Sequence, residues 1–102
     1  MYKTIITEPA ERDIEQAAQY IAKELQDPVA AASLLDDVKS AVASLETMPK
    51  RQAIVPNEEL AILGFRFWRI QEYLIFYIVR EENETVLIER FLYKNRDLFL
   101  II

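Results

Sequence analysis

Four arginines in the last third of this 102-residue chain are the side chains best suited to bind an anionic partner. They are Arg66, Arg69, Arg90 and Arg96, and they lie in or beside runs of residues that favour β-strands. A guanidinium holds a phosphate or a carboxylate through two parallel hydrogen bonds, a geometry that lysine does not reproduce. The pattern predicts a small sheet that presents cations, and these four arginines are the candidate residues for binding an anionic partner.

Each arginine also has a purely structural interpretation. Arg66 and Arg69 can lie on a solvated strand edge or pair with Glu72 or Glu89. Arg90 either lines a groove or pairs with an acid, and Arg96 can form a local turn pair with Asp97. Sequence alone leaves both interpretations open.

The absence of two residue types removes several kinds of chemistry. The chain has no cysteine and no histidine. Disulfides, thiolate nucleophiles, cysteine-based zinc sites and serine–histidine–aspartate triads are therefore excluded. The acidic pairs Asp36-Asp37 and Glu81-Glu82 lack converging ligands, so we predict no metal and no cofactor.

Charge is unevenly distributed along the chain. The net charge is −5, and residues 1–60 carry six cations and eleven anions, whereas residues 61–102 carry six of each. An acidic balance argues against non-specific binding of nucleic acid, because phosphates are repelled. It still permits a local basic surface on the predicted sheet.

The hydropathy pattern shows neither a signal peptide nor a membrane span. No long apolar core follows a basic head at the start, and no apolar run approaches the ~20 residues that cross a bilayer. We therefore expect a cytoplasmic protein with no membrane partner.

Two helix-start signals divide the first half of the chain. Thr7 precedes Glu8-Pro9, and Asp27 precedes Pro28; each pairs a capping side chain with a proline suited to the first helical turn. Apolar residues follow each signal at helical spacing. These residues are Ile14, Ala17, Ala18, Ile21 and Leu25, then Ala31, Leu34, Leu35, Val38, Val42 and Leu45. The pattern predicts an antiparallel helical hairpin from about Pro9 to Met48.

Four runs favour β-strands. They are Tyr2–Ile6, Phe65–Ile70, Tyr73–Val79 and Thr85–Tyr93. The third run is apolar without a break, which is typical of a central strand covered on both faces. Strict alternation in the fourth run places Val86, Ile88, Arg90 and Leu92 on one face.

The remaining segments are less regular. Residues 50–63 show no clean period, and Pro56–Glu59 favours a surface loop. The all-apolar tail Leu98–Ile102 is expected to be buried against its own sheet or a partner.

The order β-α-α-β-β-β predicts one α+β domain over residues 1–102, a two-helix hairpin packed on a small, mainly antiparallel four-stranded sheet.

The order and spacing of these motifs resemble the RelE/ParE toxins of bacterial type II toxin–antitoxin modules. The resemblance covers nearly the whole chain. It is carried by Glu8–Ile14, Asp27–Ala31 with Leu34-Leu35, Gly64–Arg66, Tyr73–Tyr77 and Leu92–Asp97.

The resemblance implies a growth-inhibiting toxin associated with plasmid stabilisation. RelE-like members cut messenger RNA in the ribosomal decoding site without a metal, whereas ParE-like members poison DNA gyrase. Both kinds are silenced by a cognate antitoxin, so the resemblance also implies a hetero-oligomer with an antitoxin chain.

Departures from the family pattern favour the ParE-like activity slightly. A RelE-like nuclease would use Arg66, Arg96 and Tyr93 as its catalytic residues here. Yet many members have an arginine where this chain has Leu74, and the tyrosine that RelE-like enzymes place near the end is missing from Leu98–Ile102. The long hairpin and its Asp-Pro-x-Ala-Ala start are ParE-like. A degenerate interaction module without toxicity is the third alternative.

Overall fold

The structure is a computed structural model that describes residues 1–95. Arg96, Asp97 and the apolar tail Leu98–Ile102 lie outside the described residues. The elements are β1 (Lys3–Ile6), α1 (Glu8–Gln19) with a π-helical extension (Tyr20–Glu24), α2 (Pro28–Leu45), α3 (Glu58–Ile62), β2 (Phe65–Ile70), β3 (Tyr73–Arg80) and β4 (Thr85–Tyr93). This order confirms the predicted α+β class.

Both helix-start signals act as predicted. The Thr7 side chain accepts a hydrogen bond from the Ala10 amide at 3.4 Å, and the Asp27 carboxylate accepts one from the Ala30 amide at 3.0 Å. Each bond satisfies an amide that has no partner inside its helix. Gln26, with φ of 51°, lies in the left-handed region between the helices, where the chain reverses.

The sheet has the strand order β1-β4-β3-β2. β1 runs parallel to β4, and the other neighbours are antiparallel. β2 and β3 are joined by a tight reversal at Gln71-Glu72, where Gln71 takes a φ of 55° without the usual glycine or asparagine.

β3 is buried on both faces, as its unbroken apolar sequence predicts. Ile75, Phe76 and Tyr77 are completely inaccessible to solvent. Ile75 and Tyr77 belong to the core beneath the helical hairpin, together with Leu34 and Val38 of α2. Phe76 faces the other way.

The second face of the sheet is covered by the segment that leads into β2. Val55 and Leu60 pack there against Phe65 and Phe76. The predicted loop at Pro56–Glu59 is therefore wrong in part, because Asn57 caps the short helix α3 by accepting from the Leu60 amide at 3.1 Å. Burial of one leucine stabilises this single turn.

A β-bulge breaks the alternation predicted for β4. Phe76 pairs with Arg90 and Tyr77 pairs with Ile88, so Glu89 has no opposite residue on β3. Beyond the bulge, Phe91 joins Ile88 in the core under the helices, whereas Leu92 packs on the opposite face. The prediction that Ile88 and Leu92 share a face is wrong for this reason.

The Asp13 side chain of α1 binds the edge of β4 just beyond the end of β1. Its carboxylate accepts a hydrogen bond from the Phe91 amide at 3.0 Å and two from the Arg90 guanidinium at 2.7 and 3.1 Å. Donation of these hydrogen bonds to Asp13 raises the pKa of Arg90 above its ordinary value. Of the two interpretations of Arg90, pairing with an acid is the one found.

We predict that Asp13→Ala lowers the free energy of unfolding by about 1.5–3 kcal/mol, because charge-assisted bonds at a mostly buried carboxylate are lost. The exposed Asp36→Ala on α2 is the control, with an expected change within about 0.5 kcal/mol. Urea unfolding followed by circular dichroism measures both variants. Equal stability of the two would refute the assigned role of Asp13.

Candidate basic site at the outer edge of the sheet

β2 is an edge strand, and residues 53–55 pair with its first half. The Val55 amide donates to the Phe65 carbonyl at 2.9 Å, and the Phe67 amide donates to the Ala53 carbonyl at 3.1 Å. This pairing brings residues 50–52 alongside β2. The amide and carbonyl groups of alternate residues face the same edge of a strand. The next residue of β2 whose amide and carbonyl face outward is therefore Arg69, beyond the end of the paired segment.

Arg66 is held by backbone carbonyls on the helix side of the sheet. Its Nη1 donates to the Gln52 carbonyl at 2.6 Å and to the Lys50 carbonyl at 3.3 Å. Within residues 1–95 it forms no ion pair. Neither predicted pairing, with Glu72 or Glu89, applies to this arginine, and among residues 1–95 no carboxylate lies within ion-pair distance of it.

Arg51 is a site residue that the sequence analysis missed. Its guanidinium carbon lies 5.1 Å from the centre of the Trp68 ring, and its Nη2 donates to the Ser44 hydroxyl at 3.0 Å. An aromatic face attracts a cation through its quadrupole. Arg51 stands in an aperiodic stretch, so no spacing signal linked it to the strand residues.

The buried Tyr77 of the core is hydrogen-bonded to the segment that carries Arg51. Its hydroxyl donates to the Pro49 carbonyl at 2.9 Å. Burial raises the pKa of Tyr77, and the positive charges of Arg66 and Arg51 oppose that rise. Arg66 is opposite Tyr77 in the sheet, and Arg51 follows by two residues the Pro49 carbonyl that accepts from the Tyr77 hydroxyl.

A shallow groove with a volume of about 440 Å³ runs between α2 and the end of β2. Ser40 and Ser44 line it from α2, and Arg51, Trp68 and Arg69 line it from the other side. At its rim the Gln71 amide donates to the Asp37 carboxylate at 2.8 Å. The groove thus combines cations, hydroxyls and an aromatic ring.

Arg69 shares one carboxylate with a second cation at the end of β2. Its Nη2 lies 3.5 Å from the Glu72 carboxylate, which also forms an ion pair with Lys94. The predicted pairing of Arg69 with Glu72 is therefore found. The hydrogen bond from Lys94, more than the charge of Arg69, lowers the pKa of Glu72 below its ordinary value.

Tyr93 does not approach Arg66. Tyr93 is opposite Tyr73 in the sheet and meets its ring edge-on at 5.4 Å between centres, whereas Arg66 is opposite Tyr77. The two positions are four residues apart along β3, about 13 Å at the usual rise of a strand. Arg96, the third residue of the nuclease interpretation, lies outside the described residues.

Residues 1–95 contain neither a metal-binding cluster nor a membrane-spanning helix. No group of three or more acidic, histidine or cysteine side chains is arranged to hold a metal ion in this part of the chain. No helix there is both long enough and apolar enough to cross a bilayer.

Comparison with known proteins gives a consistent family. Residues 4–98 match the family model described as the ParE toxin of the type II toxin–antitoxin system parDE. A search of curated proteins finds no significant match.

Solved structures of toxin–antitoxin complexes are similar to this chain. A chain of the chromosomal ParDE system from P. aeruginosa superposes with a TM-score of 0.74 at 18% identity, covering 93% of this chain and 98% of that one. A chain of the RelBE2 complex from Mycobacterium tuberculosis gives 0.64 at 26% identity, covering 91% and 98% respectively.

The cluster at Glu72 generates a pH prediction. Because its pKa is lowered on folding, the stability that Glu72 contributes is present above the unfolded-state pKa and is lost as the pH falls through the lowered value. Lys94→Met should raise the Glu72 pKa further than Arg69→Met, the matched control. Carbon-detected NMR titration of the carboxyl group measures both, and an equal rise in the two variants would contradict the assignment.

Proposed function

Because the chain belongs to the ParE toxin family of type II toxin–antitoxin systems, we propose that it inhibits bacterial growth by binding and poisoning DNA gyrase. An antitoxin chain encoded beside it keeps it inactive and helps to maintain the replicon that carries both genes. The family match over residues 4–98 is the observation that carries this proposal.

The geometry of the candidate catalytic residues supports a toxin that does not cut RNA. Ribosome-dependent cleavage needs a base for the 2′-hydroxyl, an acid for the leaving oxygen and a cation at the phosphate. The chain has no histidine, and Tyr93 is distant from Arg66. The Arg66 guanidinium is bound to two carbonyls, which suits a fixed binding contact.

The antitoxin would cover the opposite edge of the sheet. β1 is the other edge strand, and its Ile5 and Ile6 are about 40% exposed. Beside it, an apolar groove of about 540 Å³ between α1 and α2 is lined by Ile14, Leu35 and Val42. Exposed apolar surface next to an open strand edge suits a chain that adds both a strand and apolar side chains.

The alternative function is ribosome-dependent cleavage of messenger RNA. The observation that favours it is the similarity to the RelBE2 complex, which has the higher identity of the two structures, 26%. In that case Arg66 and Arg96 would stabilise the phosphate, and Tyr93 would act in proton transfer. A non-toxic interaction module is the third possibility that the experiments below separate.

We expect the product of an adjacent antitoxin gene to co-purify with this chain as a stable complex. Ile6→Glu should weaken the complex at least about tenfold, because burying an unpaired carboxylate in the apolar groove is costly. The exposed substitution Ile62→Glu on α3 is the control. Size-exclusion chromatography at micromolar concentration and calorimetry measure the effect, and separate elution of the two wild-type chains would refute the partnership.

Expression of the chain alone should stop growth, and the purified protein should inhibit supercoiling by gyrase. Arg66→Lys, Arg69→Lys and Arg96→Lys should each reduce both effects, since lysine cannot reproduce bidentate binding. Arg12→Lys, exposed on α1, is the control.

Primer extension on translated message should then show no cleavage. Cleavage with normal supercoiling would establish the nuclease alternative, and loss of one charge-stabilising donor would then cost on the order of a hundredfold in rate. Absence of toxicity and of both activities would leave the interaction module.

A further inference from the structure

We propose that the groove between α2 and β2, here called the Arg51 groove (Ser40, Ser44, Arg51, Trp68 and Arg69), binds an acidic, extended segment of the protein target. This inference rests on the proposed function in assigning the segment to the target. It adds a residue, Arg51, and a ligand chemistry, a side-chain carboxylate, to the surface that the target contacts.

The cations around the groove differ in whether they are paired with a carboxylate. Lys50 is paired with Glu81, and Arg69 and Lys94 share Glu72. Arg51 and Arg66, in contrast, contact only neutral groups within the described residues, namely a hydroxyl, an indole ring and two carbonyls. In a chain of net charge −5, the Arg51 guanidinium of the groove, which contacts no carboxylate among residues 1–95, can accept one from outside.

The Arg51 guanidinium is oriented before any ligand binds. The Ser44 hydroxyl and the Trp68 ring hold its guanidinium in place, so little side-chain entropy remains to be lost on binding. Only one of its two Nη atoms makes a hydrogen bond in the described structure. The remaining N–H groups can donate to a carboxylate.

The backbone of β2 is open at the groove. The pairing of β2 with residues 53–55 ends at Phe67, and in the described part of the chain no backbone hydrogen bond joins Arg69 to residues 50–52. The outward-facing amide and carbonyl of Arg69 are therefore available to another chain. An extended segment can pair with them while its side chains reach Arg51. Alternate residues of such a segment face the same side, so two acids spaced by one residue suit the site.

Protein carboxylates fit this surface better than a nucleic-acid backbone. Asp37 lines the groove, and the Glu81–Glu84 turn carries three further acids near Lys50. A long row of phosphates would meet these acids, whereas the two carboxylates of a short extended segment can reach the groove without meeting all of them. The site also lies three strands away from the β1 edge assigned to the antitoxin, so the target and the antitoxin would use different edges.

Trp68 is the only tryptophan of the chain, so its fluorescence reports directly on the groove. The probe is a blocked pentapeptide with two glutamates in alternate positions, and the matched control peptide carries glutamines instead. We expect saturable binding of the acidic peptide only. Arg51→Gln should weaken it at least about tenfold, the loss of one charge-assisted pair, whereas Arg12→Gln should leave it unchanged.

Three results would overturn the inference. They are the absence of saturable change up to tens of millimolar peptide, an equal loss in Arg51→Gln and Arg12→Gln, and tighter binding of a single-stranded oligonucleotide of the same charge. The second result would indicate non-specific attraction, and the third a nucleic-acid contact. Urea unfolding of Arg51→Gln checks that the variant is folded.

Growth assays separate this inference from the proposed function. Arg51→Gln should lose growth inhibition and still co-purify with the antitoxin. A variant that stays toxic but loses the antitoxin would reassign the groove to the antitoxin and overturn the inference. If the wild-type chain does not inhibit growth, the proposed function fails, and the peptide titration still decides whether the groove binds carboxylates.

Discussion

The apolar composition of β3 on both of its faces is the constraint on which the rest of the structure depends. A strand with Ile75, Phe76 and Tyr77 in sequence exposes a large apolar surface whichever way it faces, so both sides of the sheet must be covered. The helical hairpin covers one side. The other is covered by Val55 and Leu60, which requires the chain to fold back beneath β2.

That fold-back also creates the basic site. The segment that carries Val55 to the second face pairs with β2 on the way, and this pairing lays Lys50–Gln52 against the strand. Arg66 then finds carbonyl partners and Arg51 reaches Trp68. Among residues 1–95, both arginines are thus held by neutral groups. The path of the chain that completes the core brings these groups together, so the site is a consequence of core packing.

The elements whose residues follow a helical or strand pattern over six or more positions could be predicted from the sequence. The short or irregular elements could not. The capped helices and the strands β2 to β4 carry clear signals over six or more residues. α3 has five residues, fewer than two turns, and the bulge at Glu89 is set by pairing with β3 and by the Asp13 carboxylate at the edge. Of the site, the strand arginine Arg66 was predictable from its run, whereas Arg51 required knowledge of the fold-back.

The central claim is that this basic edge recognises a protein target and does not cleave RNA. It is tested most directly by measuring binding of the purified chain to purified DNA gyrase and to 70S ribosomes side by side, at low and moderate salt. We expect saturable binding to gyrase, and this binding should weaken as salt is added because surface charges are screened. Joint substitution of Arg51 and Arg66 by glutamine should abolish it. Binding to ribosomes alone, unchanged by those substitutions, would contradict the claim.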